Sequence, residues 1–212
     1  MEILQQISER LQKGDAAAVG ELTGAAIEQQ LAPKRILDDG LLAGMAVIGD
    51  KFKRHEIFLP DVLLAAKAMY AGLDLLRPLM IEEGIPTVGK VVLGTVQGDL
   101  HDIGKNLVGI MLKGAGFEVV DLGKDVAPER FLDAAEESGA GIIGMSALLT
   151  TTMPTMKKVI DLARERGLFG KVRFLIGGAP VSADYAKEIG ADAYCFDGVK
   201  AVECAKAFTK AS

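Results

Sequence analysis

The sequence predicts an α/β protein in two parts: an N-terminal four-helix bundle, then a five-stranded, doubly wound parallel sheet. Three observations carry this. Residues 1 to 82 space their apolar side chains at helical intervals, with short breaks. From Val88 onward, continuous apolar runs of strand length alternate with amphipathic segments. Between the two patterns, Glu83-Gly84-Ile85-Pro86-Thr87 is rich in breakers and divides the chain into domains 1–87 and 88–212.

The first helix places Ile3, Leu4, Ile7 and Leu11 on one face. Gly14-Asp15 closes it, and Asp15 can cap the next helix, expected at 16–31. Pro33 belongs in the first turn of a third helix that reaches about residue 54, with Ile36, Leu41, Leu42, Met45, Val47, Ile48 and Phe52 as its apolar positions. His55-Glu56-Ile57-Phe58 breaks that helix. A fourth is expected at 60–82, burying Val62, Leu63, Ala66, Met69, Leu73 and Leu76. Short connections make the four antiparallel. Strands are expected at 90–96, 118–122, 141–146, 173–177 and 193–196. Helices are expected at about 104–115, 128–138, 153–166, 183–189 and 199–208. A flavodoxin-like (Rossmann-like) order, 2-1-3-4-5, puts the switch point between strands 1 and 3, where open α/β sheets bind ligands.

Composition narrows the function. The chain of 212 residues is 50% apolar and 25% charged, an ordinary globular balance. A net charge of −5 argues mildly against non-specific nucleic-acid binding, and no apolar run approaches membrane-spanning length. The N-terminus is charged from residue 2 and does not read as a secretory signal, so a cytoplasmic location is expected. Cys195 and Cys204 are too few for a disulfide framework and read as free thiols.

Residues 97–106 read Gln-Gly-Asp-Leu-His-Asp-Ile-Gly-Lys-Asn, directly after the first strand. They contain Asp99-x-His101-x-x-Gly104, with Gly98, Asp102 and Ile103 in the same loop. Asp99 is near enough to hold one ring nitrogen of His101, which frees the other as a lone-pair donor. Gly104 permits a tight turn and close approach of a large ligand. Ser146-Ala147-Leu148 follows Gly104 after 41 residues, and Gly177-Gly178 follows Leu148 after 28. Both fall at predicted strand ends. Zinc finds no ligand spacing here, because only His55 and the two cysteines could join His101. The first βα turn lacks G-x-G-x-x-G, which speaks against a dinucleotide site. Strand 3 ends in Met145-Ser146, where a response regulator would have an Asp.

Together, D-x-H-x-x-G, S-x-L and G-G in this order and spacing resemble the cobalamin-binding signature of methionine synthase, the corrinoid mutases and the methyltransferase corrinoid proteins. The resemblance implies a corrinoid whose cobalt is held from below by His101. It implies a relay of His101, Asp99 and Ser146, with Ser146 hydrogen-bonding Asp99. Small residues at Gly94, Gly177 and Gly178 would leave a slot for the nucleotide tail, lined by Leu148, Thr150, Thr151 and Thr152. Gly98, Asp102, Ile103 and Gly104 complete the implied cofactor contacts.

Phe58-Leu59-Pro60-Asp61-Val62 and the run to Met69 are similar to the helical cap of methionine synthase and the methyltransferase corrinoid proteins. Phe58, Val62 and Met69 would then touch the upper face of the corrinoid. Mutases lack this bundle, so the resemblance is to free-standing corrinoid proteins of methanol, methylamine, betaine and aryl-ether systems. It implies a methyl carrier, not catalytic alone, that receives a methyl group on cobalt from a substrate-specific methyltransferase. A second methyltransferase would pass the group to tetrahydrofolate or coenzyme M, and a reductive activation protein would restore the cobalt. Neither a nucleic acid nor a membrane is expected as partner. The junction at residues 84–87 would serve as the hinge that moves the cap. The alternatives are a cobalamin-dependent sensor, disfavoured by the absence of Trp and of a helix-turn-helix extension, and a detached mutase subunit, disfavoured by the bundle.

Overall fold

The computed structural model describes residues 2–83 and 87–210. Two compact units are present: Met1–Pro86 with Gly114–Gly116, and Thr87–Lys113 with Phe117–Ser212. The expected hinge falls mainly on residues 84–86, outside the described residues.

The first unit is helical. Helix α1 (Glu2–Gln12) buries Leu4, Ile7 and Leu11, and α2 (Ala16–Glu28) begins at Asp15, whose side chain accepts from Ala18 N. The expected third helix is one rod of three grades. It starts as α3 (Pro33–Arg35), widens into a π-helical stretch, Ile36–Leu42, and resumes as α4 (Ala43–Lys53). The wide turn presents both Ile36 and Leu41 to the core, five residues apart. Gly40 makes room there: an added Cβ would stand 3.2 Å from Ile7 Cγ2. His55 in the left-handed region ends α4, and α5 (Leu59–Glu82) follows, with Asp61 accepting from Phe58 N.

Thr23, fully buried on α2, has an Oγ1 with no hydrogen-bond partner among the described residues. A stranded buried hydroxyl costs on the order of 1 kcal/mol or more. Thr23→Val, nearly isosteric, should raise stability by about 1 kcal/mol, read as a higher urea midpoint with an unchanged slope.

In the second unit the five strands are β1 (Gly89–Thr95), β2 (Phe117–Asp121), β3 (Ile142–Ser146), β4 (Arg173–Gly177) and β5 (Ala193–Tyr194). All pair in parallel, in the order β2-β1-β3-β4-β5, as the sequence predicts. The last strand is shorter than expected. Strand alternation sorts the apolar runs onto two faces. Val92, Ile143 and Phe174 stand in register on one face, and pack with Phe131, Leu132, Met156, Val159 and Ile160 of α7 (Pro128–Ser138) and α8 (Pro154–Glu165). Leu93 points the other way, against Gly109 of α6 (Ile103–Gly114). Helices α9 (Ala183–Ile189) and α10 (Gly198–Lys210) complete the unit.

Candidate functional site

The carboxyl ends of β1 and β3 adjoin, with Thr95 paired to Ser146. The loop leaving β1 turns through Gly98, whose φ is +86° and which suits glycine, and delivers Asp99 and His101. Asp99 is fully buried while the His101 side chain is 52% exposed. Asp99 Oδ1 accepts from the backbone N of His101 at 3.1 Å and lies 2.7 Å from His101 Nδ1. Its other oxygen turns to the loop after β3. Oδ2 accepts from Leu148 N at 2.7 Å, Leu149 N at 3.2 Å and Thr152 Oγ1 at 2.8 Å.

This environment fixes two protonation states. Burial alone would raise the Asp99 carboxyl. Hydrogen bonds from Leu148 N, the His101 ring, His101 N and Thr152 outweigh it and hold the group far below the usual carboxylate range. An ionised Asp99 can only accept, so Nδ1 of His101 carries a proton, and the tautomer of the neutral ring is the one with its lone pair on Nε2.

The hydroxyl predicted at Ser146 comes from Thr152 instead. Ser146 is the last residue of β3, and the side chain that meets Asp99 belongs to the turn leading into α8. Thr152 Oγ1 also meets Leu149 O at 2.9 Å, so this hydroxyl closes its own turn as well as the carboxylate. Thr152 is therefore not a free hydroxyl for a ligand tail. Thr150 and Leu148 remain exposed.

The glycines divide. A Cβ on Gly94 would stand 2.8 Å from Phe131 Cε1, and one on Gly177 would stand 2.7 Å from Cys195 O. At Gly178, with φ +131°, it would fall far inside the van der Waals shell of Ala147 O. On the Cβ side of each of the three, then, protein atoms already stand. Their smallness serves close backbone approach. Gly104 is the reverse: it is the second residue of α6, has no left-handed φ, and a Cβ there would meet nothing within 4 Å. It makes no tight turn, but it leaves the helix start open.

In the segments that carry His101 and hold Asp99, Leu100, Ile103, Leu148 and Leu149 are all exposed, Ile103 at 74%. A ring nitrogen left without a protein partner, among uncovered apolar side chains, fits a large, largely apolar metal complex held by one axial bond. No cluster of three or more metal-ligating side chains exists among the described residues, so that bond would rest on His101 alone. Asp102 is half-buried beside it, and its carbonyl accepts from Asn106 N. In the helical unit Phe58 is 69% exposed, whereas Val62 and Met69 are buried. Cys195 is buried, and burial followed by the neighbouring Cys204 thiol pushes it up to about 12, an inert thiol at neutral pH.

Two features escaped the sequence reading. Lys105, its side chain 1% exposed at the start of α6, meets both carboxylate oxygens of Asp121 at 2.6 and 2.7 Å. Asp125, after β2, bonds to the Gly98-Asp99 segment. Both are charged residues whose partners are distant in sequence, and no local periodicity marks them.

A parallel sheet with a carboxylate-held histidine at its switch point fits a cobalamin-binding domain, and comparison with known proteins gives that class. Residues 89–205 match the family described as "B12 binding domain", and residues 3–77 match a second family of the same description. The chain belongs to the B12-binding corrinoid proteins. It is 44% identical over 209 residues to the dimethylamine corrinoid protein of Methanosarcina barkeri, covering 97% of this chain and 96% of that one. It is 43% identical over 208 residues to a corrinoid protein of Desulfitobacterium hafniense (strain Y51), with 97% and 96% covered. Among solved structures it is similar to the methanol:cobalamin methyltransferase complex MtaBC from Methanosarcina barkeri, with TM-score 0.90 and 34% identity over 100% of this chain and 81% of that one.

Proposed function

We propose that this protein is the methyl carrier of a corrinoid-dependent methyltransferase system, with residues 1–87 and 88–212 as its two domains. The observation that carries the reading is the His101 imidazole, pinned through Nδ1 to buried Asp99 and free at Nε2. When bound, the corrinoid supplies a nucleophilic cobalt that can accept a methyl group and give it up again. The chain's own residues hold, orient and shield. His101 offers Nε2 to the metal. Asp99 fixes the ring and balances charge on it, and Thr152 with Leu148 N and Leu149 N keeps Asp99 ionised. A proton taken up by the ring would rest on Nε2, and ionised Asp99 at Nδ1 would stabilise the resulting imidazolium across the ring.

Gly98, Asp102, Ile103 and Gly104 would border the lower face, and Ser146, Leu148, Thr150, Gly177 and Gly178 the tail. Phe58 is the helical-unit residue we assign to corrinoid contact, since buried Val62 and Met69 offer no free surface in this state. The partners would be a substrate-specific methyltransferase, a second methyltransferase acting on tetrahydrofolate or coenzyme M, and a reductive activation protein. Named relatives of dimethylamine systems support this assignment. No helix among the described residues is long and apolar enough to cross a membrane, and we place the protein in the cytoplasm.

The test is an ultraviolet-visible spectrum of protein reconstituted with hydroxocobalamin. Wild type should show imidazole-ligated cobalt(III), and His101→Ala should lose that signature while retaining its fold. A wild type that stays colourless under varied redox conditions would overturn the reading.

A further inference from the structure

The loop that carries Asp99 and His101 is gripped from the far side by the loop after β2. Gly98 N donates to Asp125 Oδ1 at 2.7 Å, and Asp125 N donates to Asp99 O at 3.1 Å. One residue thus holds the amide at the start and the carbonyl at the end of the Gly98-Asp99 segment. Asp125 does this from φ +56°, in the left-handed region that residues with a Cβ ordinarily avoid. Its own loop is anchored on both sides. Thr95 N donates to Gly123 O at 2.9 Å, and Val126 N to Thr95 O at 3.0 Å. Upstream, Gly123 N donates to Asp121 Oδ1 at 2.9 Å, and Asp121 is clamped by Lys105. The same Thr95 holds the far end of the ligand loop, donating from Oγ1 to His101 O at 2.9 Å.

We propose that Asp125 is a positioning residue for the axial histidine: its carboxylate and its left-handed backbone fix the Gly98-Asp99 segment, and through Asp99 the tautomer and aim of the His101 ring. The proposal rests on the assignment of His101 as axial ligand. Asp125 is exposed and bonds to the backbone of Gly98 and Asp99, not to the ring, so its action on the ring is indirect. The backbone conformation and the acceptor are separable. Glycine at 125 keeps the left-handed turn and removes the acceptor. Asparagine keeps an acceptor oxygen and tolerates the same φ.

The experiment compares wild type, D125G and D125N, first without corrinoid. Two-dimensional nitrogen-15 spectra of the His101 ring report its tautomer. Wild type should hold the proton on Nδ1, whereas a released imidazole drifts toward the Nε2-protonated form. D125G should keep the wild-type thermal midpoint, lose the pure Nδ1-protonated pattern, and exchange the Gly98 amide about tenfold faster. D125N should restore both signals. A D125G ring and Gly98 amide indistinguishable from wild type would overturn the proposal, as would failure of D125N to restore them. The second readout is the hydroxocobalamin-loaded protein, where D125G should show a smaller imidazole-ligated fraction than D125N. If wild type takes up no corrinoid, the assignment of the cofactor fails, while the ring spectra still decide whether Asp125 positions His101.

Discussion

Asp99→Ala is expected to remove axial ligation and to cost the fold about 3–5 kcal/mol, the cost of leaving several donors of a buried hydrogen-bond network without their acceptor. Five donors converge on this one carboxylate: two from His101, two backbone amides from Leu148 and Leu149, and the Thr152 hydroxyl. Alanine frees the imidazole to rotate and leaves the amides of the loop after β3 without their acceptor. Thr152 still has Leu149 O, so the loss falls on the amides and the ring. Urea denaturation of the apoprotein measures the first effect, and the cobalt(III) spectrum the second. The pH dependence has a definite sign. The folded carboxyl lies far below the ~3.9 of an unfolded Asp. Its contribution is therefore complete above about pH 4 and fades as pH falls from there toward the folded value. Asp99→Asn should lose most relative to wild type at neutral pH, with the gap narrowing in acid. A constant gap down to pH 2.5 would argue against an ionised Asp99 in the native state.

Gly178→Ala should be as damaging although it adds a single methyl group. The residue has φ +131°, where a side chain is strained, and the new carbon would collide with the carbonyl of Ala147. Neither partner can yield cheaply, because both are backbone. Ala147 N also donates to Gly177 O, so the end of β4 and the loop after β3 are tied at this point. A loss above about 4 kcal/mol is expected, in the class of substitutions that force backbone strain. The displaced segment runs directly into the Leu148 and Leu149 amides that hold Asp99, so His101 ligation should fail in any protein that still folds. Gly104→Ala is the control: open space surrounds that Cβ position, and stability should change by less than about 0.5 kcal/mol. Thermal melts of the two variants side by side decide the matter.

The strand order and the contact of Asp99 with His101 were legible because each is a local pattern. Apolar runs mark strands buried on both faces, and Asp99 and His101 lie two residues apart. What was not legible depends on where loops meet. Ser146 and Thr152 both carry hydroxyls near the end of β3, and only the path of the turn decides that Thr152 reaches Asp99. The glycines at 94, 177 and 178 were read as room for a ligand, whereas on their Cβ side Phe131, Cys195 O and Ala147 O already stand. Smallness in a sequence does not say whether a cavity or a neighbour answers it. The π-helical stretch left a trace in the five-residue step from Ile36 to Leu41, which an α-helical reading absorbs without remark. Asp125 and Lys105 act through partners 16 to 27 residues away, beyond any window of periodicity.

The carboxylate that orients His101 is completed by donors 49 to 53 residues further along the chain. During synthesis, therefore, the imidazole exists long before it can serve as a ligand. A nascent chain that has just formed β1 presents a histidine that samples both tautomers. Only when β3 has docked beside β1 and the turn into α8 has closed does the ring acquire a fixed proton and a fixed aim. Capture of a metal complex by His101 would thereby be deferred until the sheet is built, and a fragment ending before Thr152 should be blind to the cofactor even though it carries the whole D-x-H-x-x-G motif.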